Sequence, residues 1–428
     1  MTPLFTWYGD DFTGSTDSLE VLASAGLDAV LFLDPPDAAQ LARFRHCRAI
    51  GIAGESRSRD PQWMDDNLPG VFENLRQLGA PLCQYKVCST FDSAPHVGNI
   101  GRALEIGQRI FGNPWVPLAV GAPHLRRYVV FGNLFAVHNG QNYRIDRHPT
   151  MSRHPVTPMD ESDLRAHLAR QTALAVGHLD LVALLSGNPD AALDAVLAAN
   201  PAAVLFDGMF DDSLLAAGRL IWNRRPASPA FCVGSSGLTH SLMLHWREAG
   251  IIPRHFDLPQ VSGHTRMAAI SGSCSPVTEA QLHWAMTNGY AAIRIDPDNL
   301  DLATPLAAAT EALNHHPGVI LYTAMGTADL NGAAPRGETL GRHLGTLLRE
   351  VIRRTGIRRA AVAGGDTASH AVRQLGIDAL TFAGPLAPGS PLCRASSSDP
   401  AIDGLEITLK GGQVGSTEFF DVVRKGRL

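Results

Sequence analysis

The sequence lacks the features that would assign it to several common classes of protein. None of its apolar stretches is long enough to cross a membrane, and its N-terminus has no basic-then-apolar secretory pattern. A formal net charge of -5 provides no electrostatic attraction to nucleic acid or to an anionic membrane. We therefore expect a cytoplasmic protein whose partners are neither nucleic acids nor membranes.

Cysteine is scarce and scattered. The six cysteines form no Cys-x-x-Cys pair, and most of them lie within apolar runs. Buried thiols in a reducing compartment are therefore the expected state. The sequence predicts no metal site built from protein ligands alone.

Two familiar nucleotide-binding patterns are also missing. No Gly-Lys-Ser or Gly-Lys-Thr occurs, which excludes a Walker A loop. The first strand-to-helix turn lacks Gly-x-Gly-x-x-Gly, which argues against a dinucleotide-dependent dehydrogenase. Any nucleotide site must therefore be of another kind.

Apolar runs of strand length alternate with stretches of helical periodicity in the remaining sequence. This alternation predicts an α/β fold in which a mostly parallel sheet is flanked by helices. Single strands are predicted at Tyr128–Val137 and Leu179–Leu185, and a helix from Asp160 to about Ala175.

The chain is long enough for two domains. Its 428 residues are more than a single hydrophobic core usually supports. The stretch Gly250–His264 contains two prolines and little periodicity, which is typical of a domain boundary. We predict domains at residues 1–250 and 265–428, each with its own sheet, and a ligand cleft between them.

Two adjacent aspartates, Asp10 and Asp11, follow the first apolar run and precede a helical stretch. The carboxyl end of a strand in an open α/β sheet is where ligands bind. A carboxylate there suits holding a substrate hydroxyl or accepting its proton. The alternative is that one aspartate only caps the helix.

Basic side chains follow the carboxyl ends of two further predicted strands. Arg57 comes after the third strand and Lys86 ends the fourth, so both are expected in the crevice that holds Asp10. A guanidinium suits a carboxylate or phosphate, although Arg57 is equally compatible with an ordinary surface position. A basic loop at Arg144–His154 is either a lid over an anionic ligand or a solvated loop.

Three turns rich in glycine or serine follow predicted strands after residue 265. They are Ser271–Thr278, Gly364–Thr367 and Lys410–Gly415. Small residues let backbone N–H groups approach a phosphate, and a helix N-terminus adds a partial positive charge. Together they favour a site for a nucleotide polyphosphate.

Taken in order, these motifs resemble the four-carbon acid sugar kinase family over nearly the whole chain. The resemblance is carried by six segments: Gly9–Asp17, Glu55–Arg57, Tyr85–Thr90, Gly272–Thr278, Gly364–Thr367 and Lys410–Gly415. It implies an N-terminal domain that binds a small sugar acid and a C-terminal domain that binds ATP.

The resemblance also implies roles for individual residues. Asp10 and Asp11 would be catalytic, one of them accepting the proton of the attacking hydroxyl. The residues that would bind the acid are Thr13, Asp17, Arg57, Lys86, Ser89 and Thr90. The residues that would bind ATP are Ser273, Gly364, Gly365, Asp366, Thr367 and Gly412. Mg²⁺ would accompany the phosphates, with Asp366 as an outer ligand and no dedicated metal site.

The chain departs from the family pattern after Lys86. Many members have an aspartate where Cys88 stands, and Phe91-Asp92-Ser93 replaces a Leu-Arg-Gly segment. The departure argues against a plain erythronate or threonate kinase and makes a branched or oxidised acid such as 3-oxo-isoapionate a candidate, but the sequence does not choose among 3-oxo-isoapionate, 3-oxo-tetronate, erythronate and threonate. A sugar-acid-binding protein without turnover and a sugar-acid dehydrogenase are the alternative functions, and homo-oligomerisation is left open.

Overall fold

The computed structural model describes residues 2–154, 156–225, 229–326 and 337–427, with only the backbone of residues 366–368. The chain forms two compact units. One comprises the chain up to Ala29 together with Pro35–Phe256, and the other comprises Val30–Asp34 together with Asp257–Leu428. The two-domain α/β class predicted from the sequence is confirmed.

The first unit is built on a seven-stranded parallel sheet. Its strands are β1 (Phe5–Gly9), β3 (Ala49–Ala53), β4 (Leu82–Lys86), β5 (Val116–Ala119), β9 (Val176–Leu179), β10 (Ala203–Phe206) and β11 (Ala230–Gly234). Their order is β3-β1-β4-β11-β5-β10-β9. All six neighbouring pairs are parallel, so the carboxyl ends of all seven strands lie at one edge. Six of the seven strands are buried throughout, as expected for strands in a sheet that is covered on both faces.

Helices and a small antiparallel sheet complete the first unit. The helices are α1 (Phe12–Ser24), α2 (Ala38–Arg43), α3 (Pro61–Gln77), α4 (Ile100–Phe111), α5 (Leu164–Leu168), α6 (Leu181–Leu184), α7 (Pro189–Leu197), α8 (Asp211–Asn223) and α9 (Ser236–Glu248). The small sheet contains β6 (Arg127–Val130), β7 (Asn133–His138) and β8 (Gln141–Arg144). Its apolar face packs into the same core as α3 and α4, through Val129 and Leu134.

The second unit has a mixed sheet. Its strands are β2 (Ala29–Phe32), β12 (Met267–Ser271), β13 (Ala291–Arg294), β14 (Gly318–Tyr322), β15 (Arg359–Ala363), β16 (Ala379–Ala387), β17 (Ser390–Ser396) and β18 (Glu406–Lys410). The parallel part has the order β13-β14-β12-β15-β18, and β17, β16 and β2 continue it antiparallel. Its helices are α10 (Pro276–Thr287), α11 (Ala303–His315), α12 (Gly337–Thr355), α13 (Gly365–Gln374) and α14 (Phe419–Lys425). In the described parts of the chain, none of the helices has the length and apolarity that crossing a membrane requires.

Three of the predicted elements are wrong. The strand predicted at Leu179–Leu185 ends at Leu179, because Asp180 accepts a hydrogen bond from the Ala183 amide (2.8 Å) and starts α6. The strand predicted at Tyr128–Val137 is a hairpin of β6 and β7. The helix predicted from Asp160 is limited to α5.

A buried carboxylate explains the hairpin. Asp207, at the carboxyl end of β10, accepts hydrogen bonds from the backbone amides of Phe131 (2.6 Å) and Gly132 (3.0 Å), where the hairpin turns. It also accepts from the Leu181 amide and lies 2.9 Å from His178 Nε2. One side chain therefore satisfies backbone donors from two separate segments.

We expect Asp207→Ala to destabilise the first unit by about 3 kcal/mol or more, since it leaves buried amides without an acceptor. Urea unfolding followed by tryptophan fluorescence reports on this unit, which contains five of the six tryptophans. Asp66→Ala, at an exposed position of α3, is the matched control and should change stability by less than about 0.5 kcal/mol. Equal effects of the two substitutions would contradict this role for Asp207.

Candidate active site

Three adjacent strands of the first unit bring the predicted acid and base residues together. Asp10 follows β1, Arg57 follows β3, and Lys86 ends β4, and these strands are neighbours in the order β3-β1-β4. Backbone hydrogen bonds also join the residues that follow these strands. The Asp10 amide donates to the Lys86 carbonyl (2.9 Å), and the Arg57 amide donates to the Asp10 carbonyl (3.0 Å).

Arg57 joins the two aspartates. Its Nε and Nη2 lie 3.2 and 2.8 Å from the two carboxylate oxygens of Asp10, and its Nη1 lies 2.8 Å from Asp11 Oδ2. Both aspartates are buried, at 4% and 9% exposure. Such a fork holds two like charges side by side that would otherwise repel each other. Arg57 is therefore an integral part of the acidic cluster and not an isolated surface arginine.

Asp11 has a second task at the start of α1. It is the N-cap residue, and its Oδ1 accepts from the Gly14 amide (2.7 Å). Thr13 Oγ1 donates to its Oδ2 (2.8 Å). The capping interpretation and the site interpretation therefore both hold for this residue. Because Asp11 carries these extra bonds, its carboxylate is held more firmly than that of Asp10.

The environment of Asp10 favours its neutral form. Burial raises the pKa of this carboxyl to about 6, and the attraction of Arg57 offsets the burial only in part. The negative charge of Asp11 raises it further. A carboxyl that titrates near neutrality is suited to accepting a proton at physiological pH.

Lys86 lies against the other end of the same cluster. Its Nζ is 3.6 Å from Asp17 Oδ2, and its side chain is almost completely buried. A Cβ atom added to Gly14 would lie 2.5 Å from Asp11 Oδ1 and 3.0 Å from Lys86 Nζ. The first turn of α1 therefore approaches both the acidic and the basic side of the site, and only glycine leaves room for this.

The loop after β4 adds a carboxylate whose role the sequence did not assign. Thr90 Oγ1 donates to Asp92 Oδ1 (2.5 Å), and Thr90 and Ser89 are both buried. Burial raises the pKa of Asp92, but Arg57 and Thr90 outweigh it and the net pKa is lowered. Asp92 is thus an ionised group within the electrostatic reach of Arg57. It follows Phe91, which has a left-handed backbone (φ 57°) that a non-glycine residue adopts at a cost.

The C-terminal end of the loop Arg144–His154 lies near this site. His154 lowers the pKa of Asp92 electrostatically, and the Thr157 hydroxyl lies 3.4 Å from Asp92 Oδ2. Arg144 is instead paired with Asp146. No sequence pattern joined Thr157 to Asp92, because the contact spans 65 residues of the chain.

His124 is a further group near the site that sequence analysis missed. Burial lowers its pKa, and it interacts electrostatically with Asp17 and Lys86. Its ring stacks on that of His240 at 5.1 Å. It follows β5, so its place at the carboxyl edge of the sheet was the available signal.

In the second unit, the three predicted turns also lie at neighbouring strand ends. Ser271–Thr278 follows β12, Gly364–Thr367 follows β15 and Lys410–Gly415 starts at the end of β18, in the order β12-β15-β18. The Gly364 amide donates to the Lys410 carbonyl (2.9 Å), and Gly272 donates to Ala363. The turns thus form one continuous edge.

Contacts between side chains and backbone hold the first and third turns together. Thr278 Oγ1 donates to the Gly412 carbonyl (3.0 Å), and Gln281 donates to the carbonyls of residues 414–416. A Cβ atom on Gly412 would lie 2.8 Å from Ser273 Oγ. Gly364 has a φ of 112°, which favours glycine. The side chains of Asp366 and Thr367 lie outside the described part of the structure.

Comparison with known proteins follows the same division of the chain. A family model described as a sugar-binding N-terminal domain matches residues 5–242, and one described as a nucleotide-binding C-terminal domain matches residues 268–420. A 3-oxo-isoapionate kinase from Paraburkholderia graminis is 46% identical over 99% of this chain and 95% of its own length. The chain belongs to the four-carbon acid sugar kinase family. It is a sugar-acid kinase, which confirms the predicted enzyme class.

Other members of the family are more distant in sequence. The 3-oxo-tetronate kinases of Cupriavidus necator and Methylobacterium radiotolerans are 29% and 30% identical, over 98% and 96% of this chain and 96% of each relative. A solved structure from Salmonella typhimurium LT2, described as a tRNA synthase, has a TM-score of 0.80 at 24% identity and covers 99% of both chains. A Haemophilus influenzae protein has a TM-score of 0.72 at 20% identity, over 98% of this chain and 99% of the other. These two structures show a shared fold.

Because the pKa of Asp10 is raised, we expect the difference in stability between wild type and a variant without this carboxyl to depend on pH. Between about pH 4 and pH 6 the unfolded carboxyl is ionised while the native one keeps its proton, so stability falls as pH rises through this window. Asp10→Asn removes this contribution. The free energy of unfolding of the variant, relative to wild type, should rise by about 3 kcal/mol from pH 4 to pH 7.

Urea unfolding at a series of pH values measures that difference. The test compares how the difference in free energy of unfolding between variant and wild type changes with pH. Any cost of altering the contact with Arg57 that is the same at every pH therefore cancels. A difference that is the same at pH 4 and pH 7 would show that the Asp10 pKa is not raised.

Proposed function

We propose that this kinase transfers the γ-phosphoryl group of ATP to a hydroxyl of 3-oxo-isoapionate. The observation that carries the choice of acid is the 46% identity to a 3-oxo-isoapionate kinase, against 26–30% for the 3-oxo-tetronate kinases. The loop after Lys86 supports the same choice. There Thr90 Oγ1 contacts both the half-buried Cys88 and the buried Asp92, which stand where many members of the family have other residues.

In this proposal the first unit binds the acid. Asp10 or Asp11 orients the attacking hydroxyl and accepts its proton, while the oxygen attacks the γ-phosphorus and ADP leaves. Arg57 uses three of its five N–H donors on the aspartates, so two remain for the carboxylate of the acid. Lys86 adds positive charge to the same end of the site, with Thr13, Asp17, Ser89 and Thr90 around it.

The second unit binds ATP in the proposal. The hydroxyls of Ser273 and Ser275 and the amides of the three turns suit phosphate oxygens. Glycine at position 412 keeps this place open, since a Cβ atom there would lie 2.8 Å from Ser273 Oγ. We propose domains at residues 1–250 and 265–428 for these two tasks.

Mg²⁺ is proposed to bind the phosphates. It prefers to keep several waters and needs few protein ligands. Within the described ranges, no group of three or more His, Cys, Asp or Glu side chains is arranged to hold a metal. Asp366 is the proposed outer carboxylate, and the ion would neutralise charge on the transferred group.

Release of ADP across a panel of acids tests the substrate. We expect kcat/KM for 3-oxo-isoapionate to exceed that for 3-oxo-tetronate, erythronate and threonate by about tenfold or more, as a pocket built for one acid discriminates against others. A reaction without acid is the control for ATP hydrolysis. A higher kcat/KM for 3-oxo-tetronate would refute the choice of acid. ADP release at the same rate with and without each acid would refute kinase activity on this panel.

Replacing Asp11 with Asn tests its catalytic role. Asparagine still caps a helix, so the fold should persist while turnover falls by about a hundredfold or more, because the amide cannot accept the proton. ADP affinity, measured by calorimetry, should stay unchanged.

Asp60→Asn is the matched control. Asp60 caps α3 by accepting from the Trp63 amide (2.8 Å) at an exposed position. It should retain full activity. Wild-type turnover in Asp11→Asn would rule out a catalytic carboxylate at this position.

A further inference from the structure

Lysine is rare in this chain and is placed selectively. Of the 36 lysine and arginine residues, only Lys86, Lys410 and Lys425 are lysines. Lys425 is half exposed on the last helix, whereas Lys86 and Lys410 are buried at the carboxyl ends of β4 and β18. One of these two buried ammonium groups lies in the proposed acid site. The other lies at the proposed nucleotide site, and the sequence motif containing it assigned it no role.

The surroundings of the two buried lysines differ. Lys86 has Asp17 at 3.6 Å. Lys410 is fully buried, and among the side chains that the structure describes no carboxylate lies within 4 Å of its Nζ. Its partners are neutral: Nζ donates to Thr278 Oγ1 (3.0 Å) and to the Gly411 carbonyl (3.2 Å), and lies 5.5 Å from the ring centre of Phe419.

A buried ammonium whose described partners are all neutral is costly. Two hydrogen bonds and one aromatic ring recover part of the hydration energy that it loses, but they supply no opposite charge. Burial accordingly lowers the pKa of Lys410 to about 7. A methionine would fill the same space without this cost, so a fold that keeps lysine here needs another reason for it.

The position of Lys410 indicates that reason. Its carbonyl accepts from the Gly364 amide (2.9 Å), its Nζ contacts Thr278, and it begins the turn Lys410–Gly415. It thus touches all three turns proposed to bind the phosphates. Thr278, in turn, donates to the Gly412 carbonyl. The ammonium group of Lys410 is therefore hydrogen-bonded at the place where these three turns meet.

We propose that Lys410 is a positioning residue for the nucleotide: its ammonium group, held by Thr278 and the Gly411 carbonyl, is the fixed counter-charge of the polyphosphate. The inference rests on the proposed binding of ATP by the second unit. It adds a specific source of attraction, since backbone amides supply only partial charges whereas the protonated form of Lys410 supplies a full one. The ligand chemistry that it selects is a polyanion, not the nucleoside.

The alternative is that Lys410 is a structural clamp, which only holds the turns together through hydrogen bonds. This alternative predicts the opposite results. A clamp that acts through hydrogen bonds would be replaced by glutamine, which can donate to the same two oxygens without carrying charge. Loss of a clamp would also destabilise the fold and weaken every ligand of the site alike. A counter-charge acts on the phosphates alone, and its removal relieves the fold of an unpaired buried cation.

The test uses the full-length variants Lys410→Met and Lys410→Gln, with Lys425→Met as a matched control at an exposed position. Calorimetry measures the affinity for ADP and for adenosine, and thermal unfolding measures stability. We expect both Lys410 variants to bind ADP about tenfold to a hundredfold more weakly, with adenosine affinity within about twofold of wild type. The Tm of Lys410→Met should be equal to or above that of wild type.

Three results would overturn the proposal. They are an unchanged ADP affinity in Lys410→Met, full recovery of ADP affinity in Lys410→Gln, or an equal loss of ADP and adenosine affinity together with a lower Tm. If Lys410→Met does not fold, Lys410→Gln alone still separates charge from hydrogen bonding. Failure of the wild-type protein to bind ADP would overturn the proposed function, whereas normal wild-type binding with unaltered variants would overturn only the role of Lys410.

Discussion

Two neighbouring carboxylates buried at the end of β1 need a cation, and the site in the first unit is built around meeting that need. Arg57 forks across Asp10 and Asp11 with three hydrogen bonds. This arrangement depends on the parallel pairing of β1 with β3, which sets the residues after both strands side by side. The cost of burial is still visible in the raised pKa of Asp10. The same residual instability of the charged form makes this carboxyl suited to taking a proton.

The candidate site of the second unit also lies at the carboxyl edge of parallel strands, but the groups described there differ from those of the first unit. Its turns present hydroxyls, amides and one ammonium, with no described carboxylate close to Lys410. Acids beside a triphosphate would repel it, whereas partial and full positive charges attract it. The two units therefore share an architecture, but the first places carboxylates together with Arg57 and Lys86 at its strand ends, whereas the hydrogen-bonding side chains described at those of the second include hydroxyls and the Lys410 ammonium. That difference matches the two family models, one for sugar and one for nucleotide binding.

Much of the fold and of the candidate site could be predicted because it is local or repeats along the chain. The fourth predicted strand ends at Lys86, where β4 also ends, because a buried strand followed by a polar segment can be recognised without long-range information. The hairpin was not predicted, because a distant side chain decides the backbone there. Asp207 holds the hairpin turn at Phe131 and Gly132 from 75 residues away, and no local pattern reveals it.

The sequence by itself determined the α/β class, the strand ends that carry chemistry, and the family, because each of these is written in short contiguous motifs such as Gly9–Asp17. Only the tertiary structure decided which of those side chains meet. It placed Arg57 on both aspartates, brought Asp92 and Thr157 together, and joined the Lys410 ammonium to Thr278. The physical reason is that burial and the distance between charges depend on strand order and register. Those quantities arise when segments far apart in the chain pair in the sheet.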